Sequence, residues 1–196
     1  DVIEKSTAAE KQKVAGKVLS TSTLVHDGNV EMRIDTNIEE LNRVLGGGLV
    51  KGSMVLLSGE PGIGKSTLTL QICNQIAKQK NESGENLKVL YISGEESKHQ
   101  IASRAQRLGM KEKMDFLGET QMEHIVATIE NSKPDCVIVD SIQVMHSVEI
   151  PSLAGSINQI RFCTEKFMQF AKQTATPVIL IGHVTKEGTL AGPRLL

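Results

Sequence analysis

Residues 54–66 of this 196-residue chain are MVLLSGEPGIGKS. The apolar run at the start has the composition of a buried parallel strand, and the positions from Ser66 to about residue 80 have the pattern of a helix. Between them, residues 59–66 match G-x-x-x-x-G-K-[ST] at every fixed position, which is the pattern of a loop that holds phosphate groups. A strand, this loop and a helix in succession predict an α/β domain.

The residue types of the loop predict what it binds. Gly62 and Gly64 allow backbone conformations that a Cβ would forbid, so that successive N–H groups can point at phosphate oxygens. The following helix adds the partial positive charge of its N-terminus. Lys65 is predicted to reach the β and γ phosphates of ATP, and the Ser66 hydroxyl is predicted to bind Mg²⁺. The predicted nucleotide-binding residues are Gly59, Glu60, Pro61, Gly62, Ile63, Gly64, Lys65, Ser66 and Thr67.

The rest of the chain alternates strand patterns with helix patterns. Further strands are predicted at residues 88–93, 114–117, 136–140 and 178–182, and helices at about 97–108, 120–131 and 155–174. Capping-box spacings at Thr36 and Glu39, and at Thr120 and Glu123, predict where two helices begin. This alternation predicts a parallel twisted sheet with helices on both faces.

Polar side chains follow three of these strands, at the edge where the phosphate loop lies. Asp140 is the predicted Mg²⁺ partner through coordinated water. Either Glu95 or Glu96 could orient and deprotonate the attacking water, although acidic residues here also favour the start of a helix. His183 could contact the γ-phosphate and pass its presence to the next loop, or it could be structural. With Lys65, these residues form the predicted catalytic set.

Two loops are candidates for contact with DNA. Residues 185–194 follow the last predicted strand, are rich in glycine and carry Lys186 and Arg194, whose charge suits phosphate groups. Residues 147–155 precede a helix that carries Arg161. Solvated surface charge is the alternative interpretation of all three basic side chains.

Composition argues against several other classes of protein. The chain is 39% hydrophobic and 23% charged with a net charge of −1, which is typical of one globular domain and gives no overall field that attracts nucleic acid. With no Trp and one Tyr, it is not expected to stack bases on an aromatic surface. Neither a membrane-span pattern nor a signal-peptide pattern is found, which predicts a cytoplasmic protein without a membrane partner. The three cysteines lack metal-site spacing and are predicted to be buried core residues.

The motifs together resemble those of a known family. LGGGL at 45–49, the phosphate loop, YISGEES at 91–97, VDSIQ at 139–143 and GHVTKEG at 182–188 are similar to the ATPase core of bacterial RadA, also called Sms. The resemblance implies a RecA-like P-loop NTPase that binds ATP or ADP with Mg²⁺ and hydrolyses ATP under stimulation by DNA. It also implies a hexamer, a RecA-type recombinase as partner, and helicase-like branch migration on single-stranded or branched DNA in homologous recombination and DNA repair.

The resemblance extends to single positions and to the domain plan. It favours Glu95 over Glu96 in the ATPase site, and His183 matches a sensor position of the RecA-like core. Residues 1–30 are expected to be a linker or entry segment, and 31–196 the ATPase core. The family's four-cysteine zinc module, its KNRFG motif and its Lon-protease-like domain are not found in this sequence.

Two other functions fit parts of the pattern. A KaiC-like signalling ATPase or autokinase shares the glycine turn and the paired glutamates but acts on protein partners. A nucleotide-binding interaction module would hold ADP with negligible turnover. Stimulation of ATP hydrolysis by single-stranded DNA distinguishes the first from a repair ATPase, and phosphate release at high protein concentration distinguishes the second.

Overall fold

The computed structural model describes residues 20–21 and 32–183. The chain divides into two units, Asp1–Val30 and Glu31–Leu196, and every element named below lies in the second. In chain order the elements are β1 (Arg33–Ile34), α1 (Glu39–Val44), β2 (Leu49–Val50), β3 (Met54–Gly59), α2 (Lys65–Ala77), β4 (Val89–Ser93), α3 (Lys98–Arg107), β5 (Asp115–Leu117), α4 (Met122–Ser132), β6 (Cys136–Asp140), a 3₁₀ helix (Ile142–Val144), α5 (Ile157–Thr174) and β7 (Val178–His183).

Five strands form the main sheet in the order β3-β7-β6-β4-β5, and every neighbouring pair is parallel. Gly59 is paired with His183, and Ser93 with Asp140. Parallel strands bring their carboxyl ends to one edge of the sheet. The phosphate loop after β3 and the polar residues that follow β4, β6 and β7 therefore meet there. The predicted RecA-like parallel α/β fold is confirmed.

The strand that precedes the phosphate loop is less buried than the sequence predicts. β3 pairs with β7 along one side, and no strand among residues 32–183 pairs with its other side. Leu56 is consequently 47% exposed, and its neighbours in β3 are only partly buried. The apolar run predicts the strand correctly, but full burial is wrong because β3 lies at an edge of the sheet described here.

Alternate strand residues pack on opposite faces of the sheet, as a side-chain period of two requires. One core cluster joins the sheet to α4 and α5, and its members include Leu90, Ile92, Val137, Val139, Ile125, Ile129, Cys163 and Phe167. The other joins the sheet to α2 and α3, and its members include Val89, Tyr91, Cys136, Ile138, Leu70, Cys73, Ile76 and Ile101. The cysteines are buried and free, so the prediction that they are core residues is confirmed. None of the helices described is both long enough and apolar enough to cross a membrane.

Helix α3 begins with a capping box formed by Ser97 and Gln100. The Ser97 hydroxyl accepts a hydrogen bond from the Gln100 backbone N–H, and the Gln100 side chain accepts one from the Ser97 backbone N–H at 2.8 Å. The box predicted at Thr36 is wrong, because α1 has Ile38 as its N-cap residue. Thr36 instead donates its hydroxyl to Oδ1 of Asn42 at 2.7 Å, which attaches the residues before α1 to the helix itself.

The capping box predicted at Thr120 and Glu123 is also wrong. Helix α4 has Gln121 as its N-cap residue, and the Glu119 carboxylate accepts hydrogen bonds from the backbone N–H groups of Thr120 and Gln121 at 2.7 and 3.0 Å. Glu123 accepts a hydrogen bond from the hydroxyl of Ser147 instead. No described side chain caps α4, and the Glu119 carboxylate instead binds the two backbone N–H groups that precede the helix.

Candidate functional site

The phosphate loop leaves open space beside its glycines. Gly62 and Gly64 have φ values of +81° and +102°, a region that side-chain-bearing residues rarely adopt, and no heavy atom lies within 4 Å of a Cβ added at either position. Lys65 is buried, and its Nζ donates hydrogen bonds to the carbonyls of Gly59 and Glu60 at 2.8 and 2.9 Å. The loop therefore combines backbone room for a bulky anion with an ammonium group held against its own carbonyls.

The other residues of the predicted nucleotide-binding set lie around this loop. Pro61 and Ile63 are exposed, whereas Ser66 and Thr67 are partly buried in the first turn of α2. The N-cap residue of α2 is Gly64, and no side chain caps the helix. The first backbone N–H groups of α2 can therefore bind an anion in the loop.

Asp140 lies at the end of β6 and is 3% exposed. Its Oδ2 accepts a hydrogen bond from the hydroxyl of Tyr91 at 2.6 Å. Burial, and then the negative charge of Asp140, raises the pKa of Tyr91, so the phenol keeps its proton and acts as the donor. Tyr91 was not predicted from the sequence to have a role. The signal available for it was a polar-tipped aromatic residue inside an aliphatic strand, because a buried tyrosine hydroxyl usually has a partner.

The two adjacent glutamates have different partners. Oε1 of Glu95 accepts a hydrogen bond from the hydroxyl of Ser141 and lies 3.4 Å from Nε2 of His183. Oε1 of Glu96 accepts a hydrogen bond from Arg104 of α3 at 2.7 Å. Glu95 thus contacts residues at the ends of β6 and β7, while Glu96 attaches the same loop to a helix.

Gln143 of the 3₁₀ helix connects the segment after β6 to β7. Its Nε2 donates a hydrogen bond to the backbone carbonyl of His183 at 3.2 Å. Oε1 of Gln143 and Nδ1 of His183 are buried and have no hydrogen-bond partner in the described part of the chain. Unpaired buried polar atoms are few in native proteins and are typical of places that take a ligand or water. The His183 ring lies beside Glu95, and Gln143 contacts the backbone of His183 at the same edge of the sheet.

The residues predicted to contact DNA are only partly within the described chain. Arg161 is exposed on α5, and Lys186 and Arg194 lie outside the described residues. The loop before α5 presents two apolar side chains, Val148 and Leu153, which are 69% and 87% exposed. The sequence prediction named the loop but did not identify these side chains.

The loop at residues 147–156 is held from inside by Gln159 of α5, which is buried. Oε1 of Gln159 accepts a hydrogen bond from the Ser147 backbone N–H at 2.8 Å. Its Nε2 contacts three backbone carbonyls at 3.0 Å, those of Ser147, Ile150 and Ser152. The sequence analysis missed this residue, although an amide on the apolar face of a helix was a signal for it.

The oxygen atoms at this edge suit Mg²⁺, which needs few protein ligands, better than they suit a metal ion that is bound by protein side chains alone. Within residues 32–183, no group of three or more His, Cys, Asp or Glu side chains could hold a metal ion. Mg²⁺ is usually held by one or two protein oxygens together with phosphates and water. The carboxylate of Asp140 and the hydroxyl of Ser66, beside a phosphate loop, are donors of that kind.

Comparison with known proteins agrees with this arrangement. A family model described as an AAA domain matches residues 21–189. The DNA repair protein RadA of Bacillus subtilis (strain 168) is 51% identical over 167 residues, which cover 85% of this chain and 35% of that protein. RadA of Listeria monocytogenes is 50% identical with the same coverage, and RadA of Streptococcus pneumoniae is 50% identical over 165 residues, which cover 84% of this chain and 38% of that protein. The chain thus spans little more than a third of the length of these relatives. The chain belongs to the AAA domain family, and the resemblance of its motifs to bacterial RadA is confirmed.

Proposed function

We propose that this chain is the ATP-hydrolysing motor core of a DNA repair protein. The observation that carries the proposal is the meeting of the Lys65 loop, Asp140 and Glu95 at one edge of a parallel sheet. These are the three parts that phosphoryl transfer to water requires: a phosphate cradle, a metal ligand and a carboxylate base. The substrate class comes from the relatives, which are named DNA repair proteins.

ATP or ADP would bind through the phosphate loop. Backbone N–H groups of residues 59–66 and the N-terminus of α2 would donate to phosphate oxygens. Lys65 would exchange its bonds with the carbonyls of Gly59 and Glu60 for bonds with the β and γ phosphates. Ser66 would hold Mg²⁺ directly and Asp140 would hold it through water. The ion neutralises negative charge on the phosphates.

Glu95 is the proposed base and His183 the proposed sensor. Ser141 fixes Oε1 of Glu95, which leaves Oε2 to accept the proton of the attacking water. Glu96 is less suited to this role, because it forms an ion pair with Arg104 of α3, whereas Glu95 contacts residues at the ends of β6 and β7. The His183 ring lies beside Glu95 at the end of β7, so contact with the γ-phosphate would be passed to the residues that follow in the chain.

The loop at 147–156 and the residues at 185–194 are proposed to contact single-stranded or branched DNA, with Arg161, Lys186 and Arg194 binding phosphates. We further propose that six copies form a ring in the cytoplasm and act with a RecA-type recombinase. ATP hydrolysis in that ring would drive helicase-like branch migration during recombinational repair. Support for this finer part comes from the resemblance to RadA.

Hydrolysis of ATP by the full-length protein, with and without single-stranded DNA, tests the proposal. DNA should stimulate hydrolysis at low salt, and the stimulation should fall as salt rises. Lys65→Ala should lose nucleotide binding or turnover under all conditions. Arg161→Ala should weaken DNA stimulation. Arg43→Ala is the matched control, because Arg43 pairs with Glu40 on the exposed surface of α1.

Two results would contradict this function. A rate of ATP hydrolysis that DNA does not change, together with no binding of DNA at low salt, would indicate a signalling ATPase with protein partners. Nucleotide binding without phosphate release, even at high protein concentration, would indicate an interaction module. If Arg161→Ala and Arg43→Ala changed DNA stimulation of hydrolysis equally, Arg161 would not be a DNA contact.

A further inference from the structure

Tyr91 is the one tyrosine of the chain and lies in the middle of β4. Its side chain is 0% exposed, and its hydroxyl donates a hydrogen bond to Oδ2 of Asp140 at 2.6 Å. A hydroxyl in an apolar layer costs free energy unless it has a partner. Here the partner is the carboxylate proposed to hold Mg²⁺.

The register of the sheet explains how a residue in mid-strand reaches the end of its neighbour. Tyr91 pairs with Ile138 of β6, and Asp140, two residues further on, lies on the same face of the sheet as Ile138. Helix α2, which follows the phosphate loop, covers that face. The buried Thr69 of α2 donates to backbone carbonyls of the first turn at 3.1 Å. Tyr91 is therefore packed in the core layer that includes the loop's helix, and its hydroxyl contacts the end of the metal-binding strand.

We propose that Tyr91 is a positioning residue for Mg²⁺: it holds Asp140 by Oδ2 and leaves Oδ1 for the ion or its water. The inference rests on the proposed ATPase function. Hydrogen bonds that orient a metal-binding carboxylate from behind are worth about 10- to 100-fold in metal affinity. Phenylalanine would fill the same space but could not donate, so Oδ2 of Asp140 would be buried without a partner.

Tyr91→Phe is the first test, and Mg²⁺-dependent binding of fluorescent ADP is the readout. In EDTA the variant should bind ADP as the native chain does, because the phosphate loop is unchanged. The Mg²⁺ concentration that gives half of the gain in affinity should rise about tenfold or more. Ile138→Val removes one methylene from the residue paired with Tyr91 and should leave the Mg²⁺ dependence unchanged.

A second measurement does not require the variant to fold. Because Tyr91 is the sole tyrosine of this sequence, 3-fluorotyrosine labels this position alone. The ¹⁹F resonance of the ADP-bound chain should shift when Mg²⁺ replaces EDTA. Asp140→Asn should abolish that shift.

The outcomes separate this inference from the function on which it rests. The positioning role is overturned if the Mg²⁺ dependence of ADP binding is unchanged in Tyr91→Phe. It is also overturned if the ¹⁹F resonance does not shift with Mg²⁺ while ADP binding depends on Mg²⁺. Either result leaves the proposed ATPase function intact. ADP binding by the native chain that is insensitive to Mg²⁺ removes the proposed metal site, and the inference falls with it.

Discussion

The hydroxyl of Ser141 donates a hydrogen bond to Oε1 of Glu95 and so joins the end of β6 to the loop after β4. The same oxygen lies 3.4 Å from Nε2 of His183 at the end of β7. Glu96, the next residue, pairs with Arg104 of α3 instead. Two neighbouring residues of the same type therefore have different structural roles, and matched substitutions can separate them.

Glu95→Gln should keep ATP binding and lower the rate of hydrolysis by about 10²- to 10⁴-fold, the usual contribution of a general base. The same change at Glu96 removes one partner of a partly buried ion pair, so its main effect should be on stability and not on the chemical step. Single-turnover phosphate release, measured with ATP affinity and thermal unfolding for each variant, checks both expectations. Loss of hydrolysis in Glu96→Gln alone would reverse the assignment.

Gly94→Ala should destabilise the protein and displace Glu95. A Cβ at position 94 would lie 2.3 Å from Cγ2 of Thr120 and 2.7 Å from Cγ2 of Val144. Overpacking of this kind typically costs about 1 to 3 kcal/mol in the free energy of unfolding. Chemical denaturation measures the loss, and ATP turnover measures the displacement.

Space-making substitutions provide the control for Gly94→Ala. Combining it with Thr120→Ser and Val144→Ala removes both clashing methyl groups, so part of the lost stability and turnover should return. Gly84→Ala is a useful comparison, because nothing lies within 4 Å of a Cβ there and its cost would come from backbone conformation alone. A triple variant no better than Gly94→Ala would rule out the steric explanation.

Local patterns predicted the five strands of the main sheet, the phosphate loop and the two-sided packing, because hydrophobic period and the phosphate-loop motif depend only on nearby residues. Contacts between strands could not be predicted in the same way. Ser141 and Glu95 are 46 positions apart, and Tyr91 and Asp140 are 49 apart, so each contact depends on the strand order. The sequence placed Glu95 and Glu96 at the correct edge but left open which one faces the site.

Two predicted capping boxes failed for a different reason. Thr120 and Glu123 have the spacing of a capping box, but Glu123 accepts a hydrogen bond from Ser147, which is distant in the sequence, and the Glu119 carboxylate binds the N–H groups just before the helix. The burial of β3 was also overestimated. An apolar run shows that a strand forms, but how much of that strand is covered depends on its neighbours, as exposed Leu56 demonstrates.

Glu119 should make the stability of the protein depend on pH. Hydrogen bonds from the Gln121 backbone N–H, from His124 and from the Thr120 backbone N–H lower the pKa of Glu119 from 4.5 to about 2. A lowered pKa means that this contribution is present above about pH 4.5 and is lost as the pH falls toward 2. Glu119→Gln should therefore cost about 1 kcal/mol in the free energy of unfolding at pH 7, because hydrogen bonds to a charged acceptor are replaced by bonds to a neutral one. The difference from the native chain should shrink as the pH falls.

Urea denaturation of both chains between pH 7 and pH 3 measures this difference. Glu130→Gln is the matched control, because Glu130 is an exposed residue of the same helix and its substitution should change stability by less than about 0.5 kcal/mol. A constant difference between Glu119→Gln and the native chain across that range would show that charge at Glu119 is not the cause.

Gln159→Leu should release the loop at residues 147–156 while leaving α5 folded. Leucine fills similar space but cannot pair with the Ser147 N–H or with the carbonyls that Gln159 contacts. Buried backbone groups left unpaired cost about 1 to 3 kcal/mol, so the loop should open to water instead of keeping its position. Hydrogen exchange in this loop should speed up, and, if the loop contacts DNA as proposed, DNA stimulation of hydrolysis should fall more than basal hydrolysis does.

Gln169→Leu makes the same chemical change on the exposed face of α5, where the Gln169 side chain donates a hydrogen bond to Glu165. Exchange in the loop should stay unchanged in that control, and so should the response to DNA. Equal exchange in the two variants would show that Gln159 does not hold the loop. Faster exchange with a normal response to DNA would instead separate the order of the loop from its proposed contact with DNA.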